Sequence, residues 1–289
     1  MSAPVALVTG ATRGAGKGIA LGLASRGMVV YVTGRSKHEA TATLKGEVLR
    51  GTLDETVAAI NAAGGTGVGI QCDHADDAAT RAVIEQIDAE RQRLDILVNN
   101  AAHVHDNLID PGGFWEKPLE LAGILDVGLR SAYVASYYAA PIMVRQGSGL
   151  ITFTSSFGSV CYMHGPAYGA QKAGYDKMAA DMAVDLEDTG VAAVSLWLGP
   201  QLTERTAVVL RHRGEQYDDF MALAETPQFN GRVIHALAGD PKLAEKSGLT
   251  LVTAELALEY GLTDKGGKQP PSYREHLGEP RIPHPARVI

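Results

Sequence analysis

Short runs of apolar, often β-branched residues alternate along this chain with longer stretches in which polar and apolar positions recur at helical spacing. Seven runs stand out: Val5–Thr9, Val29–Thr33, Val68–Cys72, Leu94–Asn99, Leu150–Thr154, Val191–Trp197 and Leu249–Thr253. Each is the length of a buried strand, and most are separated by enough residues for a helix. Strand–helix–strand repeats read as right-handed βαβ crossovers. They predict an α/β fold with a single Rossmann-type doubly wound domain, an about seven-stranded parallel sheet with helices on both faces.

Two stretches break the rhythm. Ser36–Gly51 is a polar insertion carrying Lys37, Lys45 and Arg50, and it precedes a well-signalled helix. That helix has Thr52 and Glu55 as a capping box, Leu53, Val57 and Ile60 as its apolar stripe, and Gly64-Gly65 as its stop. Thr203–Gly239 follows the sixth strand and is too long for a simple crossover. Its Val208, Val209, Leu210, Phe220, Met221 and Leu223, mixed with acids, read as amphipathic helix. Placed after a strand end, it is expected to be a lid over a ligand, with extra core as the other reading. Residues 1–265 are expected to form the catalytic domain, and 266–289, rich in Pro, Gly and charge, an extended tail.

Composition narrows the classes. A hydrophobic share of 45% is ample for a core, and a net charge of −7 argues against a broad nucleic-acid surface. No apolar run is long enough to span a membrane. Met1-Ser2-Ala3-Pro4 has no basic region, so no secretory signal is expected, and two cysteines, Cys72 and Cys161, give no disulfide framework. A reducing, cytoplasmic setting fits these features. The unusual number is 33 glycines, which calls for tight turns and close backbone approaches.

The densest glycine cluster follows the first strand: Thr9-Gly10-Ala11-Thr12-Arg13-Gly14-Ala15-Gly16, with Gly18 beyond it. A glycine turn opening a helix aims backbone N–H groups, at the positive end of the helix dipole, towards an anion such as a pyrophosphate. The strand before and helix after are the context a dinucleotide site requires. The second strand ends Thr33-Gly34-Arg35-Ser36, with no acid until Glu39. A carboxylate there would bind ribose hydroxyls, whereas the guanidinium forks of Arg35 and Arg13 suit a 2′-phosphate. NADP(H) is therefore preferred over NAD(H), the plainer reading being two solvated arginines.

Tyr168-Gly169-Ala170-Gln171-Lys172 puts a phenol and an ammonium one helical turn apart. A nearby Lys⁺ favours phenolate and should lower the tyrosine pKa towards neutrality, giving an acid/base group. Ser155-Ser156, at the end of the fifth strand, can bond a substrate carbonyl. Ser156 fits the strand end better, and Ser155 remains open.

These residues together resemble the short-chain dehydrogenase/reductase family. The turn at 9–16, Asn99-Asn100-Ala101, Ser156, Tyr168 with Lys172, and Gly199-Pro200 with Thr203 occur in that family's order over about residues 5–260. Val127-Gly128-Leu129-Arg130, Ser195-Leu196-Trp197, Thr203-Glu204 and Tyr260-Gly261-Leu262 resemble its branch around dehydrogenase/reductase member one. The resemblance implies hydride transfer between NADP(H) and a small carbonyl or alcohol. Tyr168 would be the proton donor or acceptor, Ser156 would hold the reacting oxygen, and Lys172 would bind the nicotinamide ribose. It also implies that Gly10, Thr12, Arg13, Gly14, Ala15, Gly16, Arg35, Asp73, Asn99, Ala101, Gly199 and Thr203 contact the cofactor. Asp73 would reach adenine, although a strand-end turn suits it equally. Asn99 would line the site through backbone and side chain, and Thr203 would touch the carboxamide or pyrophosphate. A homodimer or homotetramer is implied through the helices carrying Asp126 and Tyr168.

Three positions depart from the family pattern. Asp126 stands where an Asn usually holds a proton-relaying water, and we expect Asp126 to serve that relay, a surface Asp being the alternative. Ala102 replaces a glycine beside the cofactor, and Leu198 replaces a proline before Gly199. His103-Val104-His105-Asp106 is too thin for a metal site and is expected to form a pocket rim. Cys161 and Tyr162-Met163-His164 could line the substrate path, and Cys72 is expected to be buried. No metal, nucleic acid or membrane partner is expected. The reading of a different class is a dinucleotide-binding sensor or scaffold with weak or lost chemistry, for which Asp126 is the foothold.

Overall fold

The computed structural model describes residues 3–288, with side chains given for all of these except 213–220; Met1, Ser2 and the Phe220 side chain lie outside. The seven strands form one parallel sheet. They are β1 (Val5–Val8), β2 (Val29–Gly34), β3 (Thr66–Gln71), β4 (Ile96–Asn99), β5 (Gly149–Ser155), β6 (Val191–Trp197) and β7 (Thr250–Val252). Their order is β3-β2-β1-β4-β5-β6-β7, so the chain winds outward in both directions from β1. The reversal between β1 and β4 opens a crevice at the carboxyl edge of the sheet, where ligands bind in such folds.

Alternation along each strand builds two cores. Ala6 and Val8 of β1 join Ile19 and Leu23 of α1 (Gly14–Ala24), Leu53 and Ile60 of α2 (Leu53–Ala62), and Phe229 and Val233 of α7 (Pro227–Ala238). Val5 and Leu7 face the other way. They meet Ile84 and Ile87 of α3 (Asp77–Arg91), Ala135 and Ala139 of α4 (Ser131–Gln146), and Tyr175 and Ala179 of α5 (Pro166–Asp185). Gly18 serves this packing and not the phosphate turn in which its sequence neighbours place it. A Cβ there would lie 2.1 Å from Pro227 Cβ, so α1 and α7 touch backbone to backbone.

The segment 203–239 divides. Its second half, α7, is core, with Phe229, Val233, Ile234 and Leu237 fully buried. Only its first half, α6 (Glu204–Ala222), starts beside the glycine turn, where the Gly14 N–H meets Glu204. The 36–51 insertion folds as a two-stranded hairpin, Thr43–Leu44 against Glu47–Val48, turning at Lys45-Gly46 with both residues at positive φ. Leu44 and Leu49 pack on Val208 of α6, and Glu47 pairs with Arg211 and His212. Lys45 reaches Asp110 at 2.8 Å. The hairpin thus braces α6 from outside.

The tail is not uniformly extended. Tyr273 inserts beside Phe157 and Trp197, and Arg274 pairs with Glu255, whereas Ile282 and Val288 are fully exposed. Among the described residues no helix is long and apolar enough to cross a membrane.

Candidate active site

The glycine turn is built as its sequence requires. Gly10 has φ +66°, and a Cβ on it would sit 2.7 Å from Ala101 Cα, so the turn presses against the end of β4. Asn100 locks the two together: its side-chain amide donates to Thr9 O at 2.9 Å and Gly10 O at 3.0 Å. Thr9 Oγ1 accepts from the N–H groups of Asn100 and Ala101. This corrects the expectation for Asn99. Its side chain is turned into the core, 1% exposed, and donates to Ser136 Oγ at 3.0 Å. Asn99 ends a buried strand and points to its closed face, while Asn100 points to the turn.

An anion already sits at the turn. The Gly14 N–H donates to Glu204 Oε2 at 2.9 Å, and Thr203, the N-cap of α6, lies against Gly14. The Thr203 hydroxyl is engaged in its own helix cap with Thr206. A carboxylate seated on the turn's amide marks a place that fits a pyrophosphate oxygen. Thr12 and Ala15 flank this turn, and Gly16 packs beside Asn100.

Cations converge on the same corner. Arg13 donates weakly to Ser36 Oγ at 3.4 Å, and its pKa is drawn down by burial and by the charge of Arg35 while Glu204 opposes both. Arg35 is exposed at the end of β2. Arg205 of α6 donates to Val104 O at 2.8 Å. Burial, His105, Arg35 and Arg205 all lower the pKa of His103. The His103–His105 loop therefore borders a positive corner made by Arg13, Arg35 and Arg205. Sequence reading had no signal for Arg205, because α6 brings it across 170 residues of chain.

Asp73, two residues past β3, is an exposed turn residue whose Oδ1 accepts from Ala75 N–H. Just beyond it, His74 is buried and bonds Thr33 Oγ1 at 2.7 Å, and burial pushes its pKa down to about 4.

Ser156 and Tyr168 meet. Their hydroxyl oxygens are 2.9 Å apart, and Gly158 leaves room for the phenol ring. Ser155 points elsewhere and donates to Lys172 O at 3.2 Å. Pro166 at the first turn starts α5, which carries Tyr168 and Lys172 on successive turns. Lys172 Nζ donates to Thr154 O at 2.7 Å and lies 5.3 Å from the centre of the Tyr168 ring. Burial lowers the Lys172 pKa to about 8, against the charge of Asp176. The phenol behaves opposite to the sequence expectation. Burial pushes the Tyr168 pKa up, and the Ser156 hydrogen bond only partly offsets this. The His164 ring stands edge-on to Tyr168 at 5.0 Å, its pKa pushed down to about 4 by burial and by the charges of Lys117 and Lys172.

Asp126 does not face this pair. The chain ahead of α4 is a π-turn, Leu125–Arg130, broken by non-helical Val127 and by Gly128 at φ +152°. The break turns Asp126 outward, where it is exposed and acts on Arg130. Among the described residues it makes no hydrogen bond or ion pair with Lys172, and its exposed place accords with the alternative reading, a surface Asp, over the expected relay.

Gly199 and Leu198 sit in a loop that sequence reading left open. Glu225 holds it: Oε1 accepts from Gly199 N–H at 3.1 Å, from Gln201 Nε2 at 2.5 Å and from Asn230 Nδ2 at 2.9 Å. Burial pushes Glu225 up to about 7 against those bonds.

A parallel sheet with a glycine turn at its switch point and a Ser–Tyr–Lys cluster at the end of β5 and on α5 defines a nicotinamide-dinucleotide oxidoreductase. The chain belongs to the short-chain dehydrogenase/reductase family: the family model described as short chain dehydrogenase matches residues 4–214. It lies in the branch of dehydrogenase/reductase SDR family member 1. It is 38% identical to that protein of Homo sapiens over 284 residues, 94% of this chain and 87% of the human one. It is also 30% identical over 253 residues to a 3-oxoacyl-[acyl-carrier-protein] reductase of Synechocystis, covering 86% of this chain and 95% of the relative. A short chain dehydrogenase of Mycobacterium thermoresistibile superposes with a TM-score of 0.72 at 26% identity, covering 93% of this chain and 92% of that one.

Proposed function

We propose that the protein is an NADP(H)-dependent reductase of a small carbonyl compound, or dehydrogenase of the corresponding alcohol. The observation that carries the reading is the 2.9 Å approach of Ser156 to Tyr168, with Lys172 buried beside the ring. A substrate oxygen placed between the two hydroxyls would accept a hydrogen bond from Ser156 and the proton of Tyr168. Bound nicotinamide supplies the hydride, or receives it in reverse. Lys172 holds positive charge beside the phenol and would bind the nicotinamide ribose. Its charge stabilises the phenolate that remains once Tyr168 has given up its proton. Enclosure of the phenol suits an acid that must stay protonated until the carbonyl arrives.

Gly10, Thr12, Gly14, Ala15 and Gly16 would hold the pyrophosphate, with Ala101 and Asn100 behind the turn and Gly199 and Thr203 closing from the β6 side. Arg13, Arg35 and Arg205 would clamp the 2′-phosphate, which supports NADP(H) over NAD(H). Because Glu204 and Arg205 both stand on α6, we take this helix as a lid that closes over the cofactor. Tyr133 and Tyr137 stack on the exposed face of α4, and Val184 is exposed on α5, which supports a homodimer or homotetramer through these helices. Two unpaired cysteines accord with a cytoplasmic location.

The test is a panel of ketones and aldehydes followed by NADPH absorbance. Turnover that vanishes in Tyr168→Phe supports the reading. Tight NADPH binding without turnover of any carbonyl by the wild type would replace it with a dinucleotide sensor or scaffold.

A further inference from the structure

Four residues beyond Lys172, on the same face of α5, lies Asp176. Most of its surface is buried, a costly place for a helix carboxylate unless partners compensate. Strand β6 provides them. Ser195 Oγ donates to Oδ1 at 2.6 Å, and Trp197 Nε1 lies 3.0 Å from Oδ2 and 3.2 Å from Oδ1. Ser195 and Trp197 are themselves fully buried, so the carboxylate is pinned from a rigid strand. Trp197 in turn packs on Phe157 at 4.8 Å, next in sequence to Ser156.

We propose that Asp176 is the charge partner of Lys172, a positioning residue whose pinned carboxylate keeps the lysine in its ammonium form beside Tyr168. The inference rests on Tyr168 and Lys172 being the acid–base pair. The surroundings of Lys172 leave this task to Asp176. Tyr175 and Tyr168 flank Nζ with their rings, each 5.3 Å from centre to nitrogen, and β5 offers the Thr154 carbonyl. From the preceding loop comes His164, on which Lys172 and Lys117 both act as repelling cations. Cys161 acts on the phenol and Asp126 faces Arg130. Lys177, next to Asp176, is turned to solvent and pairs with Asp181. Burial loosens the hold of Lys172 on its proton, and the charge of Asp176 opposes that.

A purely structural Asp176 would do no more than satisfy Trp197, Ser195 and the other serines around it, against a burial that raises its own pKa. Asn can accept the same indole and hydroxyl hydrogens without the charge, so Asp176→Asn separates the two roles. The measurement is a pH titration of the Lys172 Cε resonance in protein labelled with ¹³C-lysine, assigned by its loss in Lys172→Arg. In Asp176→Asn the midpoint should fall by about one pH unit, a tenfold change in proton affinity. In Asp176→Glu it should stay at the wild-type value. An unmoved midpoint in Asp176→Asn, or an equal fall in both variants, overturns the proposal. Should Asp176→Asn fail to fold, the Asp176→Asn/Trp197→Phe pair removes charge and indole donor together and gives the same titration.

The titration needs no substrate, so it judges the charge partnership even where the carbonyl panel fails. Where a substrate is found, the basic limb of kcat/KM must shift acid-ward in Asp176→Asn. A kcat/KM profile that stays in place while the resonance moves would sink the positioning role.

Discussion

Lys172 Nζ donates to the Thr154 carbonyl oxygen at 2.7 Å, tying the helix that carries Tyr168 to the strand that leads into Ser156. That bond fixes the ammonium in a buried place, and burial lowers its pKa to about 8. A lysine whose pKa is lowered loses its proton as pH rises through the lowered value. If the ammonium is the working form, kcat/KM for carbonyl reduction should be flat below pH 8 and fall above it. A profile with no basic limb before pH 10 would remove Lys172 charge from the mechanism.

Tyr168→Phe keeps the ring and deletes the proton. It should reduce kcat by about 10²–10⁴-fold, the usual worth of a positioned acid. NADPH affinity, read by fluorescence titration, should change little. A variant as active as wild type would assign the proton to another group.

Glu204 occupies the Gly14 amide at 2.9 Å and must yield that donor to a phosphate oxygen. Glu204→Gln weakens the competitor and removes a like charge. NADPH should bind more tightly, by about 1 kcal/mol or roughly fivefold in Kd. Weaker binding in this variant would instead make Glu204 a cofactor contact.

Arg35 and Arg205 are expected to discriminate between the two dinucleotides through the 2′-phosphate alone. Arg35→Ala should weaken NADPH by roughly tenfold, as for loss of a charge-assisted hydrogen bond, and leave NADH nearly unchanged. Equal NADPH and NADH affinities in the wild type would refute the preference.

Gly18 is placed to test the packing. A methyl group at this position meets Pro227 Cβ at 2.1 Å, so Gly18→Ala must push α7 away from α1. The cost should be about 1–3 kcal/mol, read as a lowered thermal midpoint, with NADPH affinity retained once folded. An unchanged midpoint would mean that the helices separate freely.

Much of this was legible in the chain because it depends on neighbours in sequence. Glycines between a strand and a helix form an anion turn wherever that strand lies. Tyr168 and Lys172 share a helix face by spacing alone. The same logic failed where the backbone leaves its regular period. Asp126 was placed on a helix face, but the π-turn at Val127 and Gly128 rotates it to the surface. Asn99 and Asn100 are adjacent, and the direction of each depends on where β4 stops. The pKa of Tyr168 also escaped sequence reading. Spacing says that Lys172 is near, whereas burial decides the sign.

Sequence periodicity alone therefore determined the parallel α/β sheet, the glycine turn at its first strand and the Tyr–Lys pair, since each is set by spacing within one or two elements. Only the tertiary structure decided which residues join them from a distance. Glu204 reaches Gly14, Arg205 reaches the arginine corner, Glu225 holds the Gly199 loop and β6 pins Asp176 one helical turn beyond Lys172. Those contacts depend on how helices cross the sheet edge and on what burial does to a charge, and neither is written in local spacing.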